Sequence, residues 1–486
     1  MKRKPNLLFI GIDSLRRDRM SLYGYSRLTT PHLDKYACSG AVWDSCFSPS
    51  IPTTPGYASM ITGRDCFGTG IVAFRHKGSY APGIKTLPEI LVENGYAAAS
   101  VGLTGNPAAR GFDRDLDYKG WSTWKDGRAR KAGNLNAVAI PELRRLAAQD
   151  KPFFLFLRHL DPHSPYLPPE PYDRIFYAGD EFNKKNRSLE KTYAFKPFCD
   201  YFRSWFPPGC TDAGYIKSQY DGGIAYMDAC IAVLLEEVKV LGIEDETLIV
   251  ITSDHGESLD EHECWFDHHG LYDCTLSVPL FFRYPARIPG GARFGDMVTL
   301  KDVMPTVLDI LGIKRKGMPT EGRSLLPRMS GGGLEQEDEL YLTECTWERK
   351  HGWRTPQYKL IKALEPDFHY KSEVELYDLI KDPGENDNIA AKEPAIVKTL
   401  LDRMERWIKK REKETGRTAP IFTSIHWHGR EDRGPFTSSD EAYNTLHIGE
   451  RTDVKTDAKE EETPGDNARN SKEQEMITKL KRLGYM

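Results

Sequence analysis

The chain has 486 residues, a formal net charge of -4 and 28% charged residues. This length suits a large α/β domain with a smaller companion. Without an excess of positive charge, the chain has no global field that would attract nucleic acid or an anionic membrane, so an anionic ligand must be attracted by a local site.

The cysteines and the N-terminal residues indicate the cellular compartment in which we expect the protein. Nine cysteines show no metal-finger spacing, and their odd number argues against a disulfide framework. Residues 1–10 imitate a signal peptide only superficially, because the apolar part is short and no small-residue cleavage site follows. No stretch approaches the roughly 18 apolar residues needed to span a bilayer. We therefore expect a cytoplasmic protein with no membrane partner.

Short apolar runs alternate with longer amphipathic segments in the first two thirds of the chain. This alternation predicts an α/β domain over residues 1–330, with a large, mostly parallel sheet between helices. The predicted strands are 7–12, 97–102, 153–158, 247–252 and 278–283, and the predicted helices are 86–94, 137–148, 226–241 and 302–311.

Residues 168–215 interrupt this alternation with many interleaved aromatic and basic side chains. We interpret the stretch as an insertion over the sheet edge. It is either a surface hairpin or helix pair, or a wall that covers the substrate. Grooves for single-stranded nucleic acid also combine basic and aromatic residues, but the acidic chain argues against that partner.

The pattern changes after residue 330. Short segments of antiparallel type at 340–343, 358–363 and 376–379, followed by a helix at about 395–412, predict a small α+β domain over 331–415. Residues 416–486 lose apolar periodicity until a helical pattern returns at 476–485. We predict a C-terminal tail whose terminal helix docks on this subunit or on a second copy, which makes a homo-oligomer a hypothesis.

Polar residues directly follow two of the predicted strands. Asp13 follows the first strand, and Asp254 and His255 follow the fourth. Because ligands bind at the carboxyl ends of strands in an open α/β sheet, these side chains can form a site for one divalent ion such as Mn, Zn, Ca or Mg. The alternative is that Asp254 and Glu257 merely form a helix capping box.

Thr53 and Thr54 precede Pro55 at a segment with the features of a helix beginning. Such an end presents free N–H groups and a positive dipole to an anion. A threonine hydroxyl is a poor nucleophile unless a metal or a base lowers its pKa. We therefore expect Thr53 to act as a nucleophile only if it lies beside the metal site. The alternative is that Thr53 is a simple N-cap.

Several short motifs occur in order along the chain. They are Gly11-Ile12-Asp13-Ser14-Leu15-Arg16, Thr62-Gly63-Arg64, His159-Leu160-Asp161-Pro162-His163, Ser253-Asp254-His255-Gly256-Glu257, Leu271-Tyr272-Asp273 and Glu375-Leu376-Tyr377-Asp378-Leu379. Each is weak alone, but together they resemble the sulfatase family of the alkaline phosphatase superfamily. The resemblance implies an alkaline phosphatase-like core and an enzyme that hydrolyses esters.

The nucleophile segment departs from that family. Sulfatases carry a Cys or Ser where this chain has Thr53, convert it to formylglycine, and have an arginine where Tyr57 stands. A formylglycine hydrate uses its spare hydroxyl to release sulfate by C–O cleavage. Threonine has no spare hydroxyl, so water must attack the central atom of its adduct. Phosphoryl adducts suit that route, as in the nucleotide pyrophosphatase/phosphodiesterase and phosphoethanolamine transferase branches.

From this departure we predict a hydrolase of phosphate or phosphonate esters that needs no formylglycine and is close in pattern to phosphonate monoester hydrolases. The resemblance assigns Asp13, Thr53, Asp254 and His255 to the metal. Two-metal relatives carry a D-x-x-x-H motif that is incomplete after Asp161, so we predict a single ion.

The resemblance also supplies candidates around the nucleophile. His163 would contact the transferred group or protonate the leaving oxygen. His268 and His269 lie where many members place a Lys or His with a similar role, although a solvated loop pair is the alternative.

Four further candidates have weaker support. Arg64 would fix the nucleophile loop or pair a nearby carboxylate, as in relatives. Lys77 would help to neutralise the anion, unless it belongs to a basic surface turn. Thr104 and Asn106 follow the second predicted strand, where phosphonate monoester hydrolases place polar residues.

Three other functions remain open. A sulfatase that acts without formylglycine would turn over sulfate esters faster than phosphodiesters. A phosphoryl transferase would pass the group to an acceptor alcohol, although phosphoethanolamine transferases carry membrane helices. A non-catalytic binding protein is disfavoured by the complete set of metal ligands. In each case the ligand is a small anionic ester.

Overall fold

The computed structural model describes residues 4–74, 80–121, 123–315, 320–335, 337–423 and 436–448. Within these ranges thirteen strands form two sheets. The strands are β1 (Asn6–Ile12), β2 (Ala41–Phe47), β3 (Ser50–Ile51), β4 (Ala97–Val101), β5 (Arg114–Leu116), β6 (Phe153–His159), β7 (Thr247–Ser253), β8 (Ser277–Arg283), β9 (Ala292–Thr299), β10 (Leu340–Cys345), β11 (Arg349–Arg354), β12 (Tyr358–Ala363) and β13 (Val374–Asp378).

The helices of the same ranges flank these sheets. They are α1 (Pro31–Ala37), α2 (Thr53–Thr62), α3 (Cys66–Thr69), α4 (Leu87–Glu93), α5 (Lys131–Ala147), α6 (Glu190–Ala194), α7 (Cys199–Trp205), α8 (Ala213–Val240), α9 (Asp273–Leu276), α10 (Val303–Ile310), α11 (Leu326–Met329), α12 (Pro394–Thr415), α13 (Pro420–Thr423) and α14 (Ser439–Thr445). Short 3₁₀ helices span Arg17–Arg19, Ser21–Tyr23, Pro107–Ala109, Trp124–Asp126, Glu244–Glu246, Glu261–Glu263 and Leu300–Asp302. None of the described helices is long and apolar enough to cross a membrane.

The larger sheet has eight strands in the order β5-β4-β6-β1-β7-β8-β2-β9. The first five of these run parallel, β8 is antiparallel to both neighbours, and β9 pairs parallel with β2. Strand β1 lies between β6 and β7, so that Ile12 is opposite His159 on one side and Ser253 on the other. The carboxyl ends of these three strands therefore meet at one edge, where ligands bind in such sheets.

Helices cover both faces of this sheet. Leu8 and Ile10 of β1 pack with α5 and α8, whereas Leu7 and Phe9 pack with α2, α4 and α10. All four side chains are fully buried, and burial of each contributes about 1.5–3 kcal/mol. A strand buried on both faces has a continuous apolar sequence, which is why β1 was recognisable.

The smaller sheet has the order β13-β12-β11-β10-β3. Its strands are antiparallel, except that β10 pairs parallel with β3. Leu400, Met404 and Ile408 of α12, spaced four residues apart, pack on Trp353 and Leu360. The two residues of β3 come from the N-terminal part of the chain, directly before α2, and so connect the two sheets.

The predicted fold class, an alkaline phosphatase-like α/β core with a smaller antiparallel companion, is confirmed. The five strands and four helices predicted before residue 330 are all present, although α5 and α8 begin well before the predicted helices. The sequence did not reveal β2, β3, β5, β9 or β11. Strand β11 is hard to recognise because its buried cations have partners beyond the strand: Arg349 pairs with Glu365, and Lys350 pairs with Asp367.

The sequence also led to expectations about the cysteines, the C-terminal tail and the domain boundaries. None of the nine cysteines, all of which the structure describes, forms a disulfide. Within the predicted tail, α13 and α14 are helical although the sequence there lacks apolar periodicity. The predicted terminal helix at 476–485 lies outside the described residues, and the domain boundaries at 330 and 415 stay predictions.

Candidate active site

Three acidic or imidazole side chains meet at the carboxyl edge of the larger sheet. One ligand atom each of Asp13, Asp254 and His255 lies within 4.8 Å of the others. Asp13 follows β1 and the other two follow β7, and all three residues are fully buried. No helix begins at Asp254, so the capping-box alternative is wrong.

The backbone around these residues brings them together. Ser14 adopts a left-handed conformation with φ 62°, and its N–H donates to Oδ1 of Asp254 at 3.3 Å. Gly56 lets α2 approach closely, because a Cβ at this position would lie 2.7 Å from the carbonyl oxygen of Asp254. These contacts fix the first turn of α2 against the two carboxylates.

The donor set fits a divalent cation. Nδ1 of His255 lies 2.7 Å from the carbonyl oxygen of Gly256, so it carries the proton and Nε2 offers its lone pair to the cluster. Oδ2 of Asp254 is buried and makes no hydrogen bond. Nε2 of His255 lies 3.6 Å from Oδ1 of Asp13 and 3.4 Å from Oδ2 of Asp254. Two carboxylates and one imidazole suit a hard or borderline ion.

The electrostatics of the cluster also favour a cation. Burial opposes ionisation of Asp13, but the charge and hydrogen bonds of Arg158, helped by His163 and His255, lower its pKa below the ordinary value. Burial and the negative charge of Asp13 raise the pKa of Asp254 well above its ordinary value. A positive ion between the two carboxylates would remove this repulsion and favour the ionised form of both.

Thr53 faces this cluster. Its Oγ1 lies 3.1 Å from Nε2 of His255, and only 3% of the residue is exposed. The N-cap of α2 is Pro52, and Thr53 is the first helical residue, so Thr53 is not the N-cap. The structure therefore brings together Asp13, Thr53, Asp254 and His255, the four residues predicted to share the ion.

His163 and His268 line the same space. The ring of His268 stacks on that of His255 at 4.9 Å between centroids, and the centroid of the His163 ring lies 5.1 Å from that of His268. Burial lowers the pKa of His163 to about 3 and that of His268 to about 4. Both imidazoles are therefore neutral at pH 7. Nδ1 of His163 lies 2.6 Å from the carbonyl oxygen of Ser164 and carries the proton, so its Nε2 is an acceptor. Neither ring nitrogen of His268 makes a hydrogen bond, so the N–H of His268 can donate to an anion.

His269 points away from this cluster, although it is adjacent to His268 in sequence. Its Nε2 lies 2.7 Å from Nε2 of His369, and its Nδ1 lies 3.3 Å from Oδ1 of Asp267. Both members of the predicted pair are buried, so the solvated-loop alternative is wrong.

The described contacts of Arg64 and Asn106 are with residues other than Thr53. Arg64 lies past the far end of α2, roughly 15 Å along the helix, and pairs with Glu321 at 3.8 Å. Asn106 caps a 3₁₀ helix by accepting from the N–H of Ala108 at 2.9 Å. Thr104 is exposed on the same loop. The remaining candidate, Lys77, lies outside the described residues.

The predicted insertion at 168–215 packs beside the site. Its buried aromatic residues belong to the main hydrophobic cluster. The hydroxyl of Tyr201 lies 2.6 Å from Oγ of Ser164, next to His163, and the ring of Phe198 stacks on His269 at 5.3 Å. The stretch therefore contains a helix pair, α6 and α7, that packs next to His163 and His269, and a role as a wall that covers the substrate stays a prediction.

Sequence reasoning missed several residues that organise the site. Arg158, at the end of β6, donates from Nε and Nη2 to Oδ2 of Asp13. Lys131 of α5 donates to three carbonyls of the loop that carries His163, at 2.6–3.0 Å. The buried carboxylate of Glu257 accepts from the hydroxyl of Tyr166. An arginine at the end of an otherwise apolar strand was the one signal available in the sequence.

Two sequence models of known protein families match this chain. A sequence model described as Sulfatase matches residues 5–313. A second model, for the C-terminal part of N-sulphoglucosamine sulphohydrolase, matches residues 260–413. The first match includes every strand of the larger sheet, and the second includes β10 to β13 of the smaller one.

Similar proteins cover most of the chain. An N-acetylglucosamine-6-O-sulfatase of Bacteroides thetaiotaomicron is 25% identical and covers 80% of this chain and 83% of its own. An arylsulfatase of Clostridium perfringens is 24% identical, with coverage of 79% and 90%. A crystal structure of the phosphonate monoester hydrolase of Agrobacterium radiobacter superposes with a TM-score of 0.67 at 22% identity, over 84% of this chain and 96% of that one. The last likeness concerns the fold alone.

Proposed function

Because this chain belongs to the sulfatase family, whose members hydrolyse esters, we propose that it is a metal-dependent sulfuric ester hydrolase in which the hydroxyl of Thr53 is the nucleophile. The observation that carries the proposal is the position of that hydroxyl, 3.1 Å from His255 in the buried cluster of Asp13, Asp254 and His255. The sulfatase names of its relatives support the sulfuric ester.

Each residue of the site has a role in the proposed reaction. Asp13, Asp254 and His255 would hold the divalent ion, with the Thr53 hydroxyl beside it. Such an ion lowers the pKa of a neighbouring hydroxyl and neutralises charge on the ester oxygens. His268 donates an N–H hydrogen bond to those oxygens, whereas His163, whose Nδ1 proton is donated to the carbonyl of Ser164, lines the same space with its acceptor nitrogen Nε2.

Turnover has two steps, formation and hydrolysis of a threonyl sulfate adduct. Thr53 Oγ1 forms a bond to sulfur while the bond from sulfur to the ester oxygen breaks, and the hydroxyl proton leaves with the alcohol. Water then attacks the sulfur of the threonyl adduct, which releases hydrogen sulfate and restores the hydroxyl. No spare hydroxyl of the formylglycine kind is needed.

Esters of phosphate or phosphonate, the main expectation from the sequence, are the second candidate. Thr53 itself favours them, because attack of water on the central atom is an easy route for a phosphoryl adduct. The names of the relatives favour sulfate over this expectation. A small anionic ester is the substrate in both proposals, and we keep the predicted cytoplasmic location as a proposal.

One experiment separates the two candidates. The purified protein, reconstituted with Mn²⁺, Zn²⁺, Ca²⁺ or Mg²⁺, is assayed in parallel with an aryl sulfate, an aryl phosphodiester and an aryl phosphonate monoester. Higher kcat/KM for the sulfate is the expected result. A higher value for either phosphorus ester would replace the sulfatase proposal, and equal inactivity with every ion would refute both.

A further inference from the structure

A second cluster of metal-binding side chains lies beside the active site. One ligand atom each of Cys264, His269 and His369 lies within 4.8 Å of the others, and the three residues are 1%, 1% and 8% exposed. Cys264 and His269 belong to the loop between β7 and α9, whereas His369 belongs to the connection between β12 and β13. The cluster therefore joins the larger sheet to the smaller one.

The two imidazoles are oriented as metal ligands are. Asp267 Oδ1 lies 3.3 Å from Nδ1 of His269 and also accepts from the indole N–H of Trp347 at 3.2 Å. A carboxylate on Nδ1 holds the proton there and leaves Nε2 with its lone pair. That Nε2 faces Nε2 of His369 at 2.7 Å.

Aromatic contacts hold both rings in these orientations. Phe198 stacks on His269 at 5.3 Å, and Phe195 stacks on His369 at 4.7 Å. Without an ion, the facing nitrogens can share only one hydrogen, and Nδ1 of His369 makes no hydrogen bond.

We propose that Cys264, His269 and His369 bind a Zn²⁺ ion that is distinct from the ion of Asp13, Asp254 and His255. One sulfur and two nitrogen ligands suit zinc, whereas Mg²⁺ and Ca²⁺ require oxygen ligands. Three protein ligands leave one tetrahedral position for water. The ion would bind the thiolate of Cys264, and the thiol proton would leave to solvent.

The ion would stabilise the contact between the two sheets. It would also hold a strained loop, because His262, Glu263 and Phe266 all have positive φ, at 57°, 58° and 48°. Such conformations cost free energy that surrounding interactions must offset. The inference concerns structure and metal content, and it does not depend on which ester is hydrolysed.

Cobalt substitution tests this site specifically, because the cluster of Asp13, Asp254 and His255 contains no cysteine and cannot give a thiolate-to-cobalt band. Protein loaded with Co²⁺ should show a thiolate-to-cobalt charge-transfer band in the near ultraviolet. The band should persist in Asp254→Asn and in the control Cys38→Ser, an exposed cysteine. It should disappear in Cys264→Ser and weaken in His369→Gln. Wild-type protein without the band, or a band that survives Cys264→Ser, would overturn the proposal.

Metal content and stability give a second measurement. Wild-type protein loaded with Zn²⁺ should retain about two equivalents per chain after desalting, and Asp254→Asn and Cys264→Ser should each retain about one. A zinc chelator should lower the thermal midpoint of Asp254→Asn but leave that of the double variant Asp254→Asn/Cys264→Ser unchanged. If Cys264→Ser fails to fold, the wild-type cobalt spectrum still decides. One equivalent in the wild type would contradict the second site.

Discussion

The hydroxyl of Thr53 lies 3.1 Å from Nε2 of His255, although 202 positions separate the two residues in the chain. This contact joins the first turn of α2 to the carboxyl end of β7. It places the proposed nucleophile directly beside the cluster that would hold the ion.

Replacement of Thr53 by alanine should reduce kcat/KM for the best aryl ester by on the order of 10³-fold or more, because it removes the attacking oxygen. The control is Thr54→Ala, since the Thr54 hydroxyl donates to the carbonyl of Phe74 at 2.9 Å and not to the cluster. Circular dichroism checks that both variants fold. Wild-type turnover by Thr53→Ala would exclude this nucleophile.

His268→Ala should lower kcat by on the order of 10²-fold, because it removes an N–H donor to the ester oxygens. This imidazole is neutral at pH 7, since burial lowers its pKa to about 4. The loss should therefore be similar for aryl esters whose leaving groups differ in pKa. A loss that grows steeply with leaving-group pKa would instead identify a general acid.

Arg158→Gln should weaken binding of the active-site ion by roughly 10–100-fold, because outer contacts orient metal-binding carboxylates. Arg158 donates to Asp13 from two guanidinium nitrogens. The affinity can be measured by titration of metal-free protein in the Cys264→Ser background. Arg293→Gln is the matched control, since Arg293 pairs with Asp44 at 2.6 Å on the surface. Equal affinities in the two variants would contradict the orienting role.

Gly56→Ala should impair both activity and stability. The added Cβ would lie 2.7 Å from the carbonyl oxygen of Asp254, and such overpacking costs about 1–3 kcal/mol. Gly295→Ala is the control, because nothing lies within 4 Å of a Cβ there. Thermal unfolding and kcat/KM of the two variants are compared. If Gly56→Ala behaved like the control, the close approach of α2 would not matter.

Buried His351 should make the protein less stable in mild acid. Burial, followed by the charge of Lys362, lowers its pKa to about 3, whereas unfolded histidine titrates near 6.5. Above about pH 6.5 the histidine is neutral in both states, and its contribution to the free energy of unfolding is fully present. As the pH falls toward 3, the unfolded chain binds a proton that the folded chain does not, and this contribution is lost. The loss amounts to about 2 kcal/mol at pH 5. His351→Gln should therefore show a smaller drop in thermal midpoint between pH 7 and pH 5, and an unchanged drop would refute the assignment.

Much of the fold could be predicted because the central strands are buried on both faces and the helices are amphipathic. Strand β11 could not, since its Arg349 and Lys350 are buried beside Glu365 and Asp367, and no local pattern shows those pairings. Propensity describes a residue in isolation, whereas this strand depends on charges supplied by neighbouring segments.

The site was predictable where a residue ends a strand or begins a helix, as Asp13, Asp254 and Thr53 do. Arg158 was missed because its strand looks apolar, and its partner lies 145 positions away. His268 and His269 form one motif in sequence, yet their rings face different clusters. The second of these clusters needs His369, 100 positions further along, so spacing alone could not reveal it.

The pairing of β3 with β10 has a consequence for how this protein can be divided. Ser50 and Ile51 pair with Thr343 and Glu344, and Thr53 follows only two residues after Ile51. A chain shortened at residue 330 would keep every proposed ligand of the active-site ion but lose the strand that guides the backbone into α2. Chimaeras between relatives should therefore exchange both sheets together, because the C-terminal one sets the entry angle of the nucleophile.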